Sequence, residues 1–151
     1  MYTFRKNERL GNHRLQSLLF DQGKAFFQYP FRVQYLFCSI KELESRFQPP
    51  KGHAPGAVFL YPAKSIISVS KRQIKNAVQR NKVKRLVREA YRKNKSTFYT
   101  FLERERFHAM VAFVYTADKI LSNNEIELAV KQAFAKLEEK LLLEEQRKTR
   151  L

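Results

Sequence analysis

Apolar residues recur at helical spacing in the stretch that follows residue 76. They recur at i, i+3, i+4, i+7 and i+8, the period of one helical face: Val83, Leu86, Val87, Ala90 and Tyr91. Asn76 is a predicted N-cap, and Gln79 three residues later completes a capping-box pattern. The spacing therefore predicts a continuous helix over residues 77–93. We expect a polar connection over 95–106 after it, with a short helical segment near 98–102.

Two further helices are predicted, one on each side of this one. Residues 10–22 place three leucines on one face, and Gly23 is a natural stop after the last turn. Farther along, Ser122 and Glu125 form a capping box. Behind this box, helical spacing continues to near residue 146 through Ile126, Ala129, Val130, Ala133, Phe134, Leu137 and Leu141.

Alternation of apolar and polar residues predicts β-strands between the helices. A half-buried strand is predicted over Phe31–Phe37, with a shorter strand over 24–27 before it and Pro30 at the break. Another strand is predicted over 66–70. The run His108–Tyr115 is almost entirely apolar, which is typical of a central strand that is buried on both faces.

The order of these elements predicts an α+β sandwich in which three helices pack on one mixed sheet of about four strands. A loop rich in proline and glycine, residues 48–56, leads to a predicted edge strand over 57–62. A length of 151 residues suits a single domain over 1–151. We expect the basic ends, 1–9 and 147–151, to be flexible.

Composition narrows the classes of partner. The net charge of +16 and the pI near 10.2 point to nucleic acid or another anionic surface. The single cysteine, Cys38, excludes a disulfide framework and a multi-cysteine metal site, and its apolar surroundings favour a core position. No apolar run reaches 18 residues and no secretory signal is evident, so we expect a cytoplasmic protein.

The positive charge is concentrated on the predicted helix and the turn before it. The segment Lys71–Lys95 contains eleven basic residues and one acid, Glu89. Opposite the apolar stripe lie Asn81, Lys84, Arg85, Arg88 and Arg92. A solvated helix face usually alternates Glu with Lys for mutual support, whereas these cations repel one another at successive i+4 steps. This pattern favours a face that binds a polyanion.

The sequence of this helix resembles a known family. The stretch Arg80–Glu89, RNKVKRLVRE, is similar to the signature helix of the bacterial ribonuclease P protein subunit, whose core reads Arg-Asn-Arg-x-x-Lys/Arg-Arg. The preceding SVSKR, residues 68–72, resembles the strand end that leads into that helix, and the likeness spans roughly 5–143. The resemblance implies a left-handed βαβ crossover, as in the second domain of ribosomal protein S5, against the usual right-handed rule.

The resemblance also implies a function and a set of site residues. In that family a large RNA subunit cleaves precursor tRNA with bound Mg²⁺, and the protein binds this RNA and holds the 5′ leader. The implied RNA-binding residues are Lys71, Arg72, Lys75, Arg80, Asn81, Lys82, Lys84, Arg85, Arg88 and Arg92. The implied leader cleft contains Phe20 and Tyr35, and Phe31 shares the face of Tyr35 by strand period. Gln16 stands where many members carry a second aromatic.

Side chains for hydrolysis are not apparent in the sequence. His13, His53 and His108 are isolated, and no phosphate-binding loop or nucleophile motif occurs. We therefore expect no catalytic residue, no metal site and no cofactor on the protein itself, with Mg²⁺ held by the RNA subunit. The alternatives are another structured-RNA-binding protein such as a ribosome-associated one, a helix-turn-helix DNA reader, a membrane-surface binder and a stand-alone endonuclease. The uninterrupted helical pattern over 77–93 argues against helix-turn-helix.

Overall fold

Four strands form one mixed sheet in the computed structural model, which describes residues 4–42 and 61–149. The strands are β1 (Lys24–Gln28), β2 (Phe31–Ser39), β3 (Ala63–Val69) and β4 (Phe107–Tyr115). Their spatial order is β1-β2-β4-β3, with antiparallel pairing of β1 with β2 and of β2 with β4, and parallel pairing of β3 with β4. The predicted loop over 48–56, with His53, and most of the predicted strand over 57–62 lie outside the described residues.

Within residues 4–42 and 61–149, three long helices pack on this sheet, which confirms the predicted α+β class. They are α1 (His13–Gln22), α2 (Ala77–Glu105) and α3 (Asn123–Thr149). The capping box at the start of α3 forms as predicted, because Ser122 Oγ accepts from the Glu125 N–H while the Glu125 carboxylate accepts from the Ser122 N–H. The connection from β3 to its parallel neighbour β4 runs through α2. Its left-handed sense stays a prediction.

The junction between α1 and β1 leaves no room for a side chain at Gly23. Its φ of −72° is ordinary extended backbone, so the helix does not end in a left-handed residue. A Cβ atom at this position would lie 2.2 Å from the carbonyl oxygen of Leu19 and 3.0 Å from that of Tyr35. The strand therefore follows the helix immediately, and glycine permits the close approach.

The polar connection predicted over 95–106 is wrong, because α2 continues without a break to Glu105. Phe98, Phe101 and Leu102 are buried and extend the apolar stripe of the helix. The helix ends only at Arg106, which adopts the left-handed conformation with φ of 61°. Sequence reasoning stopped at a run of polar residues, one of which, Lys95, is itself buried.

The two faces of the sheet carry different helices. The odd-numbered residues of β2 from Phe31 to Phe37 lie in the core beneath α2 and α3, together with side chains of those helices. Even-numbered residues of β2 lie on the other face beneath α1, where Leu36 and Cys38 pack with the leucines of α1. The core position predicted for Cys38 is confirmed, since it is 4% exposed. The central strand β4 contributes to both cores, as predicted.

Residues 4–10, here called the N-terminal strap, lie along the open edge of β3. Arg9 forms an isolated parallel bridge with Ser65, and the Leu10 N–H donates to the Ser65 carbonyl at 2.9 Å. The flexibility expected for residues 1–9 stays a prediction; residues 4–9 of the strap make specific contacts with the rest of the protein. At the other end, residues 147–149 belong to α3.

Candidate RNA interface

The turn before α2 fixes where the basic helix begins. A turn over 71–73 leads to Ile74, which is only 4% exposed and anchors the turn in the core. Asn76 is the N-cap, as predicted, because its side-chain oxygen accepts from the backbone N–H groups of Val78 at 2.8 Å and Gln79 at 3.3 Å. The exposed cations at this end of the helix are Lys71, Arg72 and Lys75.

The two faces of α2 match the prediction. The apolar stripe is buried at Val83, Val87, Ala90 and Tyr91, and Leu86 is partly buried against the same core. The outward side exposes Asn81, Lys82, Arg85 and Arg88, with Lys84 half-buried beside them. Within 4–42 and 61–149, no carboxylate pairs with Arg85 or Arg88. A rigid helix thus presents uncompensated cations at fixed positions.

Arg80 contributes to the turn as well as to the charge. Its guanidinium donates to the carbonyl oxygens of Ile74 at 3.0 Å and Lys75 at 2.7 Å. These bonds hold the turn against the first turn of α2. Arg80 therefore positions Lys75, and only its remaining N–H groups are available to a ligand.

Among the described residues, Arg92 is the one predicted RNA-binding cation that has a local counter-ion. Its guanidinium binds Glu89 through two hydrogen bonds, one of them from Nε to Oε2 at 3.0 Å. Hydrogen bonding to this guanidinium lowers the pKa of the Glu89 carboxyl. The pair neutralises the charge of Arg92, so the uncompensated cations of the predicted set lie in the turns before it.

The structure contradicts the predicted leader cleft at two of its three residues. Phe31 is 0% and Tyr35 is 4% exposed, and both lie in the core beneath α2 and α3. The ring of Tyr35 packs against Phe26 at 5.7 Å and Phe37 at 5.3 Å between centroids. Strand period explains the error, because the odd residues of β2 point away from α1. Phe20, on α1, is 50% exposed, so the structure does not bring it together with the other two.

The sheet face that packs against α1 carries a different exposed aromatic residue, Phe27. Phe27 is 58% exposed and pairs in register with Arg32 on β2, whose side chain is also exposed. In the same register Arg32 is opposite Val114 of β4, which packs with the α1 cluster. Sequence reasoning missed Phe27. A signal was present, since two adjacent phenylalanines in one strand must point to opposite faces.

The family model for ribonuclease P matches residues 4–138 of this chain. The chain belongs to the ribonuclease P protein family. It is 32% identical over 132 residues to the ribonuclease P protein component of Porphyromonas gingivalis, a match that covers 87% of this chain and 84% of the relative. It is 30% identical over 118 residues to that of Chlorobium phaeobacteroides, covering 75% and 71%.

A solved structure of the ribonuclease P protein of Staphylococcus aureus has the same fold. The TM-score is 0.55 at 22% sequence identity, over 86% of this chain and 94% of that one. The likeness to the family that the motif on α2 predicted is thereby confirmed in sequence and in fold.

In the part of this ribonuclease P family member that the structure describes, the side chains that could bind a metal ion lie apart from one another. Among the described residues, no group of three or more His, Cys, Asp or Glu side chains is placed to hold a metal ion. His13 is exposed on α1. His108 is half-buried with Nδ1 3.3 Å from the Pro62 carbonyl oxygen, and burial lowers its pKa. None of the helices in the described ranges is long and apolar enough to cross a membrane.

Proposed function

We propose that this chain is the RNA-binding protein subunit of ribonuclease P, which assists a catalytic RNA in removing the 5′ leader from precursor tRNA. The observation that carries the proposal is the outward row of uncompensated cations on α2, whose opposite face is buried in the core. The family assignment supports it. A cytoplasmic location is part of the same proposal.

The basic helix binds the RNA subunit through phosphate contacts. Arg85 and Arg88 are exposed without a carboxylate partner in the described chain, so RNA phosphates compensate their mutual repulsion. Arg80 holds the turn that carries Lys75, which sets the position of a further cation before the helix. Because the helix is packed against the core along its length, the backbone that carries these groups is ordered before RNA binds, and association has to order only their side chains.

The RNA subunit, with Mg²⁺, supplies the chemistry. Protein-based hydrolysis requires a positioned base and a group that stabilises the developing charge. The described histidines, His13 and His108, lie on separate elements, and neither belongs to a group of three or more His, Cys, Asp or Glu side chains that could hold a metal ion. The protein is proposed to bind no metal or cofactor of its own.

The 5′ leader binds beside α1 on the sheet face that carries Phe27. Single-stranded RNA is commonly held by cations together with aromatic rings on which bases stack. Phe20 and Phe27 are each at least half exposed, and Arg32 is exposed opposite Phe27 in the register of the sheet. In the proposed cleft, Phe27 and Arg32 take the place of Phe31 and Tyr35, which are buried in the other core.

Reconstitution tests the proposal. The protein freed of RNA is expected not to cut precursor tRNA, and addition of the RNA subunit at low Mg²⁺ is expected to give cleavage at the 5′ end of the mature tRNA. Arg85→Ala/Arg88→Ala should weaken binding to the RNA subunit, whereas Lys119→Ala/Lys131→Ala, which removes the same charge from exposed positions elsewhere, should not. Cleavage by RNA-free protein would refute the assignment of the chemistry. Binding to structured RNA without stimulation of cleavage would favour the alternative, a structured-RNA-binding protein.

A further inference from the structure

The N-terminal strap is fixed to the body of the protein by a buried carboxylate. Glu8 is 0% exposed, and its carboxylate accepts hydrogen bonds from the backbone N–H of Arg5 at 2.6 Å, from the Tyr99 hydroxyl at 2.8 Å and from the Lys95 ammonium group. Lys95 is itself only 6% exposed. A buried charge pair is tolerated when its remaining hydrogen-bonding capacity is satisfied, and here the carboxylate has three donors.

A chain of hydroxyl groups extends this anchor to β3. The Tyr99 hydroxyl lies 2.9 Å from that of Tyr91, which accepts from Ser65 Oγ at 2.9 Å. Phe4 packs edge-on against the ring of Tyr91 with centroids 4.9 Å apart. Residues at both ends of the strap are therefore tied to α2 and β3.

The anchored strap lies on the same side of α2 as two of the RNA-binding cations. At about 100° per residue, Arg88, Tyr91, Lys95 and Tyr99 lie within about 60° of Lys84 around the helix axis. Phe4 and Glu8 contact this stripe through the last three of these residues. Lys84 and Arg88 lie on the same side of the helix, about one to four turns earlier. Lys6 lies in the chain between Phe4 and Glu8, which contact this stripe, and the Arg9 guanidinium lies over the Phe4 ring. Both exposed cations are therefore carried by the segment that packs on the stripe.

We propose that Lys6 and Arg9 continue the RNA interface of α2, and that Glu8 is a positioning residue that holds them there through its buried pair with Lys95. The inference rests on the proposed function, since it extends the same surface. RNA is the partner that fits, because the strap adds cations to a stripe already occupied by Lys84 and Arg88. The Arg9 guanidinium is further ordered by the ring of Phe4, 5.8 Å from its centroid.

The first test measures the salt dependence of binding to the RNA subunit. Loss of two phosphate contacts in Lys6→Ala/Arg9→Ala should reduce the slope of log K against log salt by roughly 1.5 units and weaken binding severalfold at fixed salt. The matched control is Lys119→Ala/Lys131→Ala, which removes two exposed cations from another part of the surface and should leave the slope unchanged. An unchanged slope in the strap variant would overturn the proposal.

The second test asks whether the anchor positions the strap. An iron chelate attached to a cysteine introduced by Lys6→Cys should cleave the RNA subunit at a small number of adjacent nucleotides. In the background of Glu8→Gln, or of Tyr99→Phe if that variant does not fold, cleavage should become weak and dispersed while the thermal melt remains cooperative. Equally sharp cleavage in a folded anchor variant would mean that Glu8 has only a structural role.

The affinities of two variants for the RNA subunit separate the proposed function from the strap proposal. If Arg85→Ala/Arg88→Ala binds the RNA subunit as well as the unmodified protein does, the proposed function fails. If that variant is weakened but Lys6→Ala/Arg9→Ala is not, only the strap proposal fails.

Discussion

The position of the leader cleft is tested by replacing Phe27 with alanine. Its ring is 58% exposed on the sheet face shared with α1, so its removal should change the free energy of unfolding by about 0.5 kcal/mol or less. A stacked base contributes roughly 1–3 kcal/mol, so loss of the platform should weaken binding of the leader by about 5- to 150-fold. Mature tRNA has no leader and should bind the reconstituted enzyme unchanged.

The assay compares the affinities of precursor and mature tRNA for enzyme reconstituted with each variant at fixed salt. Tyr35→Ala is the matched control, because Tyr35 is 4% exposed in the opposite core and its truncation should cost about 3–5 kcal/mol of stability. Phe27→Ala is expected to separate the two ligands without a change in melting temperature. Equal affinity losses for both ligands, or a selective loss in a folded Tyr35→Ala protein, would refute the assignment of sheet faces.

Two further predictions concern α2 and the start of the sheet. Val87→Ala, in the core, should lower the free energy of unfolding by about 2 kcal/mol in denaturant titration, whereas Arg88→Ala should leave it nearly unchanged and weaken RNA binding; the same behaviour in both variants would contradict the two-faced helix. Gly23→Ala should destabilise by about 1–3 kcal/mol and lower the melting temperature by several degrees, because the new Cβ would lie 2.2 Å from the carbonyl oxygen of Leu19. An unchanged melt would show that the backbone adjusts there without cost.

The sequence predicted the buried and exposed faces of α2 well, because several residues define a helix face and a single exception does not change the pattern. Five apolar positions defined the buried side of α2, and a polar N-cap defined its start. Strand faces depend on a single-residue register. The alternation in β2 puts Phe31, Val33 and Tyr35 on one face, which is the buried one, whereas the resemblance to the family implied that Tyr35 faces the cleft beside α1; its neighbour Leu36 is the residue that packs there.

Contacts between distant segments were the part that the sequence did not reveal. Lys95 looked like one more surface cation, and Glu8 looked like an ordinary residue of a polar end. Their burial depends on a partner 87 residues away in the chain, which no local pattern records. The helix was predicted to end too early for the same reason. Lys95 is buried in α2, but in the sequence it is a charged residue that interrupts the apolar pattern.

The position of β4 in the sheet affects the order in which the protein folds during synthesis. β4 pairs with β2 on one side and with β3 on the other, yet it comes last of the four strands in the chain. Until residues 107–115 have been made, the hairpin of β1 and β2 and the unit of β3 and α2 have no shared strand to join them. Assembly of the sheet therefore depends on long-range pairing late in translation, and the apolar side chains of both units that pack on β4 remain uncovered until then.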